Sequence, residues 1–175
     1  MPLLNVIDKS RRKIGAALSS DGRAMDDHDV LDTLKQDHEE VSDLLDQLVD
    51  SESASGRASL LKRVKAALVP HSRAEEKTVY DPIRALKGKQ QKQDGEEGYL
   101  EHALADKMLD KLGRITKTTS PEFSAAAKVL KELIAHHVAE EERNIWRDVR
   151  DNFSDEERLA MNRRFEAAKA RVRVG

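Results

Sequence analysis

Residues His137 to Asp148 read HVAEEERNIWRD, and residues His71 to Pro82 read HSRAEEKTVYDP. In register, His71 matches His137, Glu75 matches Glu141, Glu76 matches Glu142, Lys77 matches Arg143, Val79 matches Ile145 and Tyr80 matches Trp146. Each copy is a histidine followed four residues later by a glutamate. On a helix that spacing puts both side chains on one face, about 6 Å apart along the axis. A further histidine precedes each copy at a similar distance: His38 is 33 residues before His71, and His102 is 35 residues before His137. The pattern is a duplicated helix pair, with one histidine on the first helix and His-x-x-x-Glu on the second.

The flanking residues supply the helices. Leu31, Leu34, His38, Val41, Leu45 and Leu48 keep a three–four alternation that predicts a helix from about Asp27 to Val49, with His38 at a core position. SESASG at 51–56 reads as a loop. A second helix runs from about Arg57 to Leu86, with Leu61, Val64, Leu68, His71, Glu75, Val79, Ile83 and Leu86 inward. Pro70 lacks a backbone donor and is expected to kink it around residues 66–70. GKQQKQDGEEG at 88–98 is the most loop-like segment and divides the repeats. A third helix, about Glu97 to Thr116, turns Tyr99, His102, Leu109 and Leu112 inward. The fourth opens with Ser120 as cap and Pro121 at its first position, and carries Phe123, Ala127, Leu130, Ile134, His137, Glu141, Ile145 and Val149 on its inner face.

Ser154 with Glu157 three residues on is a capping box, and a last helix of about Asp155 to Arg173 is expected outside the bundle. Leu3 to Leu18 places Leu3, Val6, Ile7, Ile14 and Leu18 roughly on one helical face, so a further helix is expected there, broken by SSDG at 19–22. No strand signal is present. The expected fold is all-α: an up-down-up-down four-helix bundle over residues 25–152, an N-terminal helical extension over 1–24 and a C-terminal helix over 153–175.

Composition narrows the function. A chain of 175 residues is most simply one domain. A formal net charge of −2 gives no general pull toward nucleic acid. The absence of cysteine excludes disulfides, thiolate metal sites and a cysteine nucleophile. No apolar run approaches the ~18 residues of a membrane span, and the start lacks a secretory apolar core. The default expectation is cytoplasmic.

Six polar side chains therefore point into one core: His38, His71, Glu75, His102, His137 and Glu141. Buried carboxylates are normally paired or metal-bound, because burial unpaired costs several kcal/mol or more. Four imidazoles and two carboxylates suit two iron ions, with manganese or zinc as the alternatives. Each half supplies two histidines and one glutamate, and the glutamates can bridge. Open coordination positions would admit dioxygen, peroxide, nitric oxide or water. A lone histidine on an apolar face is usually a hydrogen-bonded core residue; the conjunction of two copies and two matched upstream histidines is what outweighs that reading. His136 lies about 100° round the helix from His137 and cannot share its direction. Glu76, Glu142, Asp37 and Glu101 read as solvated, with hydrogen bonds to the imidazoles as the alternative. Tyr80 and Trp146 read as core or seam aromatics, the Tyr80 hydroxyl being within conceivable reach of the site.

The order His … His-x-x-x-Glu … His … His-x-x-x-Glu, in the contexts QDHEE, HSRAEEKTVYDP, YLEH and HHVAEEE, resembles the hemerythrin family and its HHE cation-binding branch over roughly residues 28–150. The resemblance implies a non-haem di-iron centre with an oxo or hydroxo bridge. Members bind dioxygen, sense oxygen or iron, or react with peroxide or nitric oxide. Oxygen carriers of the family have a histidine where this chain has Asp106, and an aspartate at a longer spacing where it has Glu141, which argues against reversible oxygen carriage. Asp106 is left as a seventh ligand, a partner of a ligand or a solvated residue. The expected function is a di-iron protein that binds or reacts with a small oxidant or gas, catalase-like peroxide decomposition included. The alternative is a non-catalytic iron or oxygen sensor or interaction bundle, with a protein partner or a second copy of the chain.

Overall fold

The computed structural model describes residues 28–174. The expected N-terminal extension lies outside the described residues. Within them the chain is all-helical: α1 (Val30–Asp50), α2 (Ala54–Glu75), a π-helical turn (Glu76–Tyr80), α3 (Asp81–Ala85), α4 (Lys89–Arg114), α5 (Pro121–Arg143), α6 (Ile145–Asn152) and α7 (Asp155–Lys169).

The starts are fixed by side chains that satisfy otherwise orphaned backbone donors. The Asp29 carboxylate accepts from the Leu31 N–H at 3.0 Å, and the Ser53 hydroxyl accepts from Gly56 at 2.9 Å. Ser120 accepts from Phe123 at 3.2 Å ahead of Pro121. Ser154 and Glu157 complete the expected capping box.

Neighbouring long helices meet in opposite residue order. His38 faces Glu141 while Asp46 pairs with Lys131, across α1 and α5. His102 faces His137 while Lys111 pairs with Glu122, across α4 and α5. Between α1 and α2, Asp37 bonds His71 while Arg57 donates to the Ser51 carbonyl.

The apolar interior falls into two clusters. One joins Val41, Leu45 and Leu48 to Leu61, Val64, Leu68, Leu109, Leu112, Phe123, Leu130 and Ile134. The other joins Val30 and Leu34 to Val79, Tyr80, Ile83, Ile145, Val149, Met161 and Phe165. The buried polar residues His38, His71, Glu75, His102, His137 and Glu141 come between these two sets along every helix that carries them. Helix α7 completes the second cluster by burying Met161 and Phe165.

Two expectations of local structure are corrected. Residues 88–98 are not a loop: α4 begins at Lys89 and runs through Gly95 and Gly98. These glycines serve close packing. A Cβ on Gly98 would lie 2.6 Å from the Tyr80 ring, and one on Gly95 2.5 Å from Arg84 Cγ. The residues before them, Lys89 to Gln93, are good helix formers. The second correction concerns the helix expected to run unbroken from about Arg57 to Leu86, which is divided after His71. α2 continues through Pro70, and the departure from α geometry falls at Glu76–Tyr80. The second repeat is interrupted at the matching place, between α5 and α6 at Asn144.

Candidate metal centre

Four imidazoles and two carboxylates converge where α1, α2, α4 and α5 face one another. All six residues are buried, Glu75 completely and Glu141 to 3% exposure. Glu75 Oε2 lies 3.4 Å from His71 Nε2 and 3.5 Å from His102 Nε2. Glu141 Oε2 lies 3.4 Å from His38 Nε2 and 3.6 Å from His137 Nε2. The rings pair as His38 with His71, centroids 5.1 Å apart, and His102 with His137, 4.8 Å apart. Each glutamate thus touches one histidine of each pair.

Every Nε2 faces inward because every Nδ1 is held from outside. His71 Nδ1 donates to Asp37 at 3.0 Å, and His137 Nδ1 donates to Glu101 at 2.6 Å. His102 Nδ1 donates to Glu76 at 3.2 Å, and His38 Nδ1 donates to Glu142 at 3.1 Å. The arrangement repeats the sequence duplication. The acid just before the first histidine of each repeat holds the second histidine of that repeat. The acid just after each glutamate holds the first histidine of the other repeat. Such carboxylate partners fix the tautomer and raise the basicity of an imidazole toward a cation. The expectation that these four acids are solvated is therefore corrected: all four are imidazole partners.

Tyr80 is also part of this layer. On a straight α-helix five residues would place it about 140° round from Glu75. The π turn, with i to i+5 bonding, lays it over Glu75 instead, and its hydroxyl donates to Glu75 Oε2 at 3.1 Å and lies 3.5 Å from His102 Nε2. Burial and the nearby charges of Glu141 and Glu75 raise its pKa well above the ordinary phenol value, so it remains a donor. In the second repeat the matching residue, Trp146, stacks on the His38 ring at 5.8 Å.

Asp106 stands outside the cluster. It pairs with Arg73, which also bonds Glu76 at 2.6 Å. It thereby reaches His102 only through Arg73 and Glu76. His136 is exposed, its ring 3.7 Å from Glu101.

The electrostatics are those of an unsatisfied site. Burial opposes charge on His71, but Glu75 and Asp37 overcome it and push the pKa up to about 10. His102 is opposed by burial too, and Glu75 and Glu76 bring it up to about 8. Burial would raise Glu75, yet the His71 charge and the histidine hydrogen bonds hold it well below the usual carboxylate range. Glu141 is raised, by burial and by the charge of Glu75. Four buried atoms here have no hydrogen-bond partner: His38 Nε2, Glu75 Oε1 and both oxygens of Glu141. Lone pairs left bare in a buried layer are costly unless a cation or water takes them.

Cation ligation fits these atoms. His38, His71 and Glu75 offer donor atoms all within 4.8 Å of one another, and so do Glu75, His102 and His137. His102 Nε2 and His137 Nε2 are 3.2 Å apart. Two imidazole nitrogens bound to one ion at about 2.1 Å, roughly at right angles, are separated by about 3 Å. A narrow cleft reaches the layer from the side, lined among others by Tyr80, Gly98, Glu101, His137 and Glu141.

The hemerythrin HHE cation binding domain family matches residues 29–149 of this chain. The chain is also similar to a DNA nickase of Nostoc sp., 26% identical over 159 residues that make up 91% of this chain and 44% of the nickase. It therefore spans under half the length of that curated relative. No solved structure matches it. No helix among the described residues is long and apolar enough to cross a membrane. With the matched segment spanning all four inward-facing histidines and both glutamates, the chain belongs to the hemerythrin HHE cation binding domain family.

Proposed function

We propose that α1, α2, α4 and α5 form an up-down-up-down four-helix bundle whose buried layer holds two iron ions and reacts with a small oxidant or gas. The observation that carries this reading is the double set of donors. Four Nε2 atoms face in while four carboxylates hold the Nδ1 atoms outside. His38, His71, His102 and His137 would hold the ions together with Glu75 and Glu141. Six protein ligands shared between two ions leave coordination positions open, and paired iron supplies redox chemistry and Lewis acidity when bound. Manganese or zinc in the same donors would keep the Lewis acidity, and zinc would remove the redox chemistry.

The chain's own groups limit what can react. The cleft beside His137 and Glu141 is narrow, which suits dioxygen, peroxide or nitric oxide. The Tyr80 hydroxyl, aimed at Glu75, is the proton donor closest to the glutamate in this layer. Leu34, Val79, Ile145 and Phe165 close the layer on one side and keep bulk water out.

A sensor reading has one observation in its favour. Lys169 on α7 bonds both oxygens of Asp37 at 2.6 and 2.7 Å, and Asp37 holds His71. A change at the ions would reach the C-terminal helix through three residues. On this division residues 25–152 are the cation-binding unit and 153–175 the reporting helix.

The test is turnover of peroxide and binding of nitric oxide by iron-loaded protein, beside a His71→Ala/His137→Ala variant. Activity that disappears in the variant supports a reactive site. An iron-loaded parent inert to both, with α7 protection from proteolysis changing on loading, supports the sensor. Supercoiled plasmid belongs among the substrates assayed, because the relative aligned over 91% of this chain is a DNA nickase.

A further inference from the structure

The cleft that reaches His137 and Glu141 has acidic walls. Asp94, Glu97 and Glu101 line it from α4, and Glu140 lines it from the end of α5. Asp94, Glu97, Gly98 and Glu101 follow the i, i+3, i+4, i+7 pattern that puts residues on one helix face. At Gly98 the Tyr80 ring packs directly against the helix backbone and forms part of the cleft wall. Glu97 is exposed, Glu101 and Glu140 are half-buried, and Asp94 and Glu141 are buried.

Most of these acids have protein partners. Glu101 holds His137. At the rim, Glu140 is paired with Arg143 and accepts from Asn144 at 3.2 Å. Asp94 is different. One oxygen accepts from Gln90 at 2.6 Å, while the other is buried with no partner, in a residue only 6% exposed. A carboxylate oxygen in that position is a strong acceptor that lacks a cation. It sits in the wall of the same cleft into which the unpartnered Glu141 carboxylate opens.

We propose that this cleft is the path by which divalent cations reach the buried layer, with the exposed Glu97 gathering the hydrated ion and the buried Asp94, about one turn further from His102 on α4, lending a second oxygen before Glu141 and His137 take it. The inference rests on the metal-site reading above and adds the route to it. A cleft lined by one sign of charge raises the local concentration and the arrival rate of the opposite charge. Asp94 and Glu97 supply oxygen in place of the water an ion sheds in so narrow a passage. They hold the ion loosely, because neither has an imidazole beside it. Their effect is on the rate of loading and not on the final content.

The experiment is stopped-flow uptake of cobalt(II) by metal-free protein under nitrogen, followed by the visible absorption that cobalt acquires on ligation, with metal per chain measured at the end. The variant Asp94→Asn/Glu97→Gln keeps shape and hydrogen bonding and should load about tenfold more slowly than the parent, reaching the same metal per chain. A control at the other end of the same two helices, Asp110→Asn/Glu122→Gln, removes equal charge and should load at the parental rate. The route is overturned if the cleft variant loads as fast as the parent, if the control slows equally, or if the cleft variant ends with less metal. A parent that takes up no cobalt overturns the metal-site reading itself, and the route with it.

Discussion

Glu141→Gln should shift stability in opposite directions in the metal-free and the metal-loaded protein. Glu141 is 3% exposed, neither of its oxygens has a hydrogen-bond partner, and its contacts are the Nε2 atoms of His38 and His137 at 3.4 and 3.6 Å. Burial and the Glu75 charge raise its pKa. The folded state then binds a proton more tightly than the unfolded state does, so the metal-free fold loses stability as pH rises above the ordinary carboxylate range. At neutral pH the charge on Glu141 is a burden. Glutamine has the same shape without the charge, and should stabilise the metal-free protein by about 1–2 kcal/mol. For a chain of this size that raises the Tm by roughly 2–8 °C. With metal the sign reverses. The parent gains about 2.7 kcal/mol when free metal stands at a hundred times Kd, and a variant lacking the carboxylate that would help hold the ions forfeits most of that. Thermal melts by circular dichroism, in chelator and in excess iron(II) or zinc(II), should therefore cross. A glutamine variant that melts below the parent in chelator, with metal moving neither curve, would refute the reasoning and make Glu141 a structural partner of His38 and His137.

Other expectations follow from the same geometry. Asp37→Asn and Glu101→Gln leave the inward donors in place but discharge the groups that hold His71 and His137. Each should weaken metal binding about 10- to 100-fold in competition with a chelator dye. Gly98→Ala drives a Cβ to 2.6 Å from the Tyr80 ring, whereas Gly95→Ala meets the flexible Arg84 side chain. The first should cost about 1–3 kcal/mol in chemical denaturation and the second much less. His71 and His102, pushed up to about 10 and about 8, are protonated in the metal-free protein at neutral pH. Their stabilising contribution is full below the unfolded histidine pKa of about 6.5 and is lost as pH rises through 8 and then 10. Over that window the metal-free Tm should fall and metal affinity should rise, and loading at neutral pH should release about two protons per chain into a weakly buffered indicator solution.

The long helices and the six inward residues were legible because they rest on one-dimensional regularities. The three–four alternation through Leu31, Leu34, His38, Val41, Leu45 and Leu48 sets a helix face without reference to any partner, and duplication turned a weak histidine–glutamate spacing into a specific one. What was not legible depends on neighbours. Gly95 and Gly98 look like breakers until Arg84 and Tyr80 are seen against them. The π turn at Glu76–Tyr80 has no local signature and shows its reason only when Tyr80 lies over Glu75. The four outer carboxylates escaped because each is next in sequence to one inward residue yet serves a histidine on another helix. Residues i and i+1 diverge by about 100°, so an acid beside a histidine points away from it and into the adjoining interface. Asp94 and Asp148 are buried acids that no local pattern separates from solvated ones.

The central claim is that two cations occupy this layer, held by its four histidines and two glutamates. Its most direct test is metal per chain by plasma mass spectrometry after anaerobic iron(II) reconstitution and desalting, for the parent, His38→Ala/His71→Ala and His102→Ala/His137→Ala. The account predicts two irons per chain in the parent and at most one in either variant, with all three proteins helical. A parent with one iron or none, or variants that keep two, would contradict it.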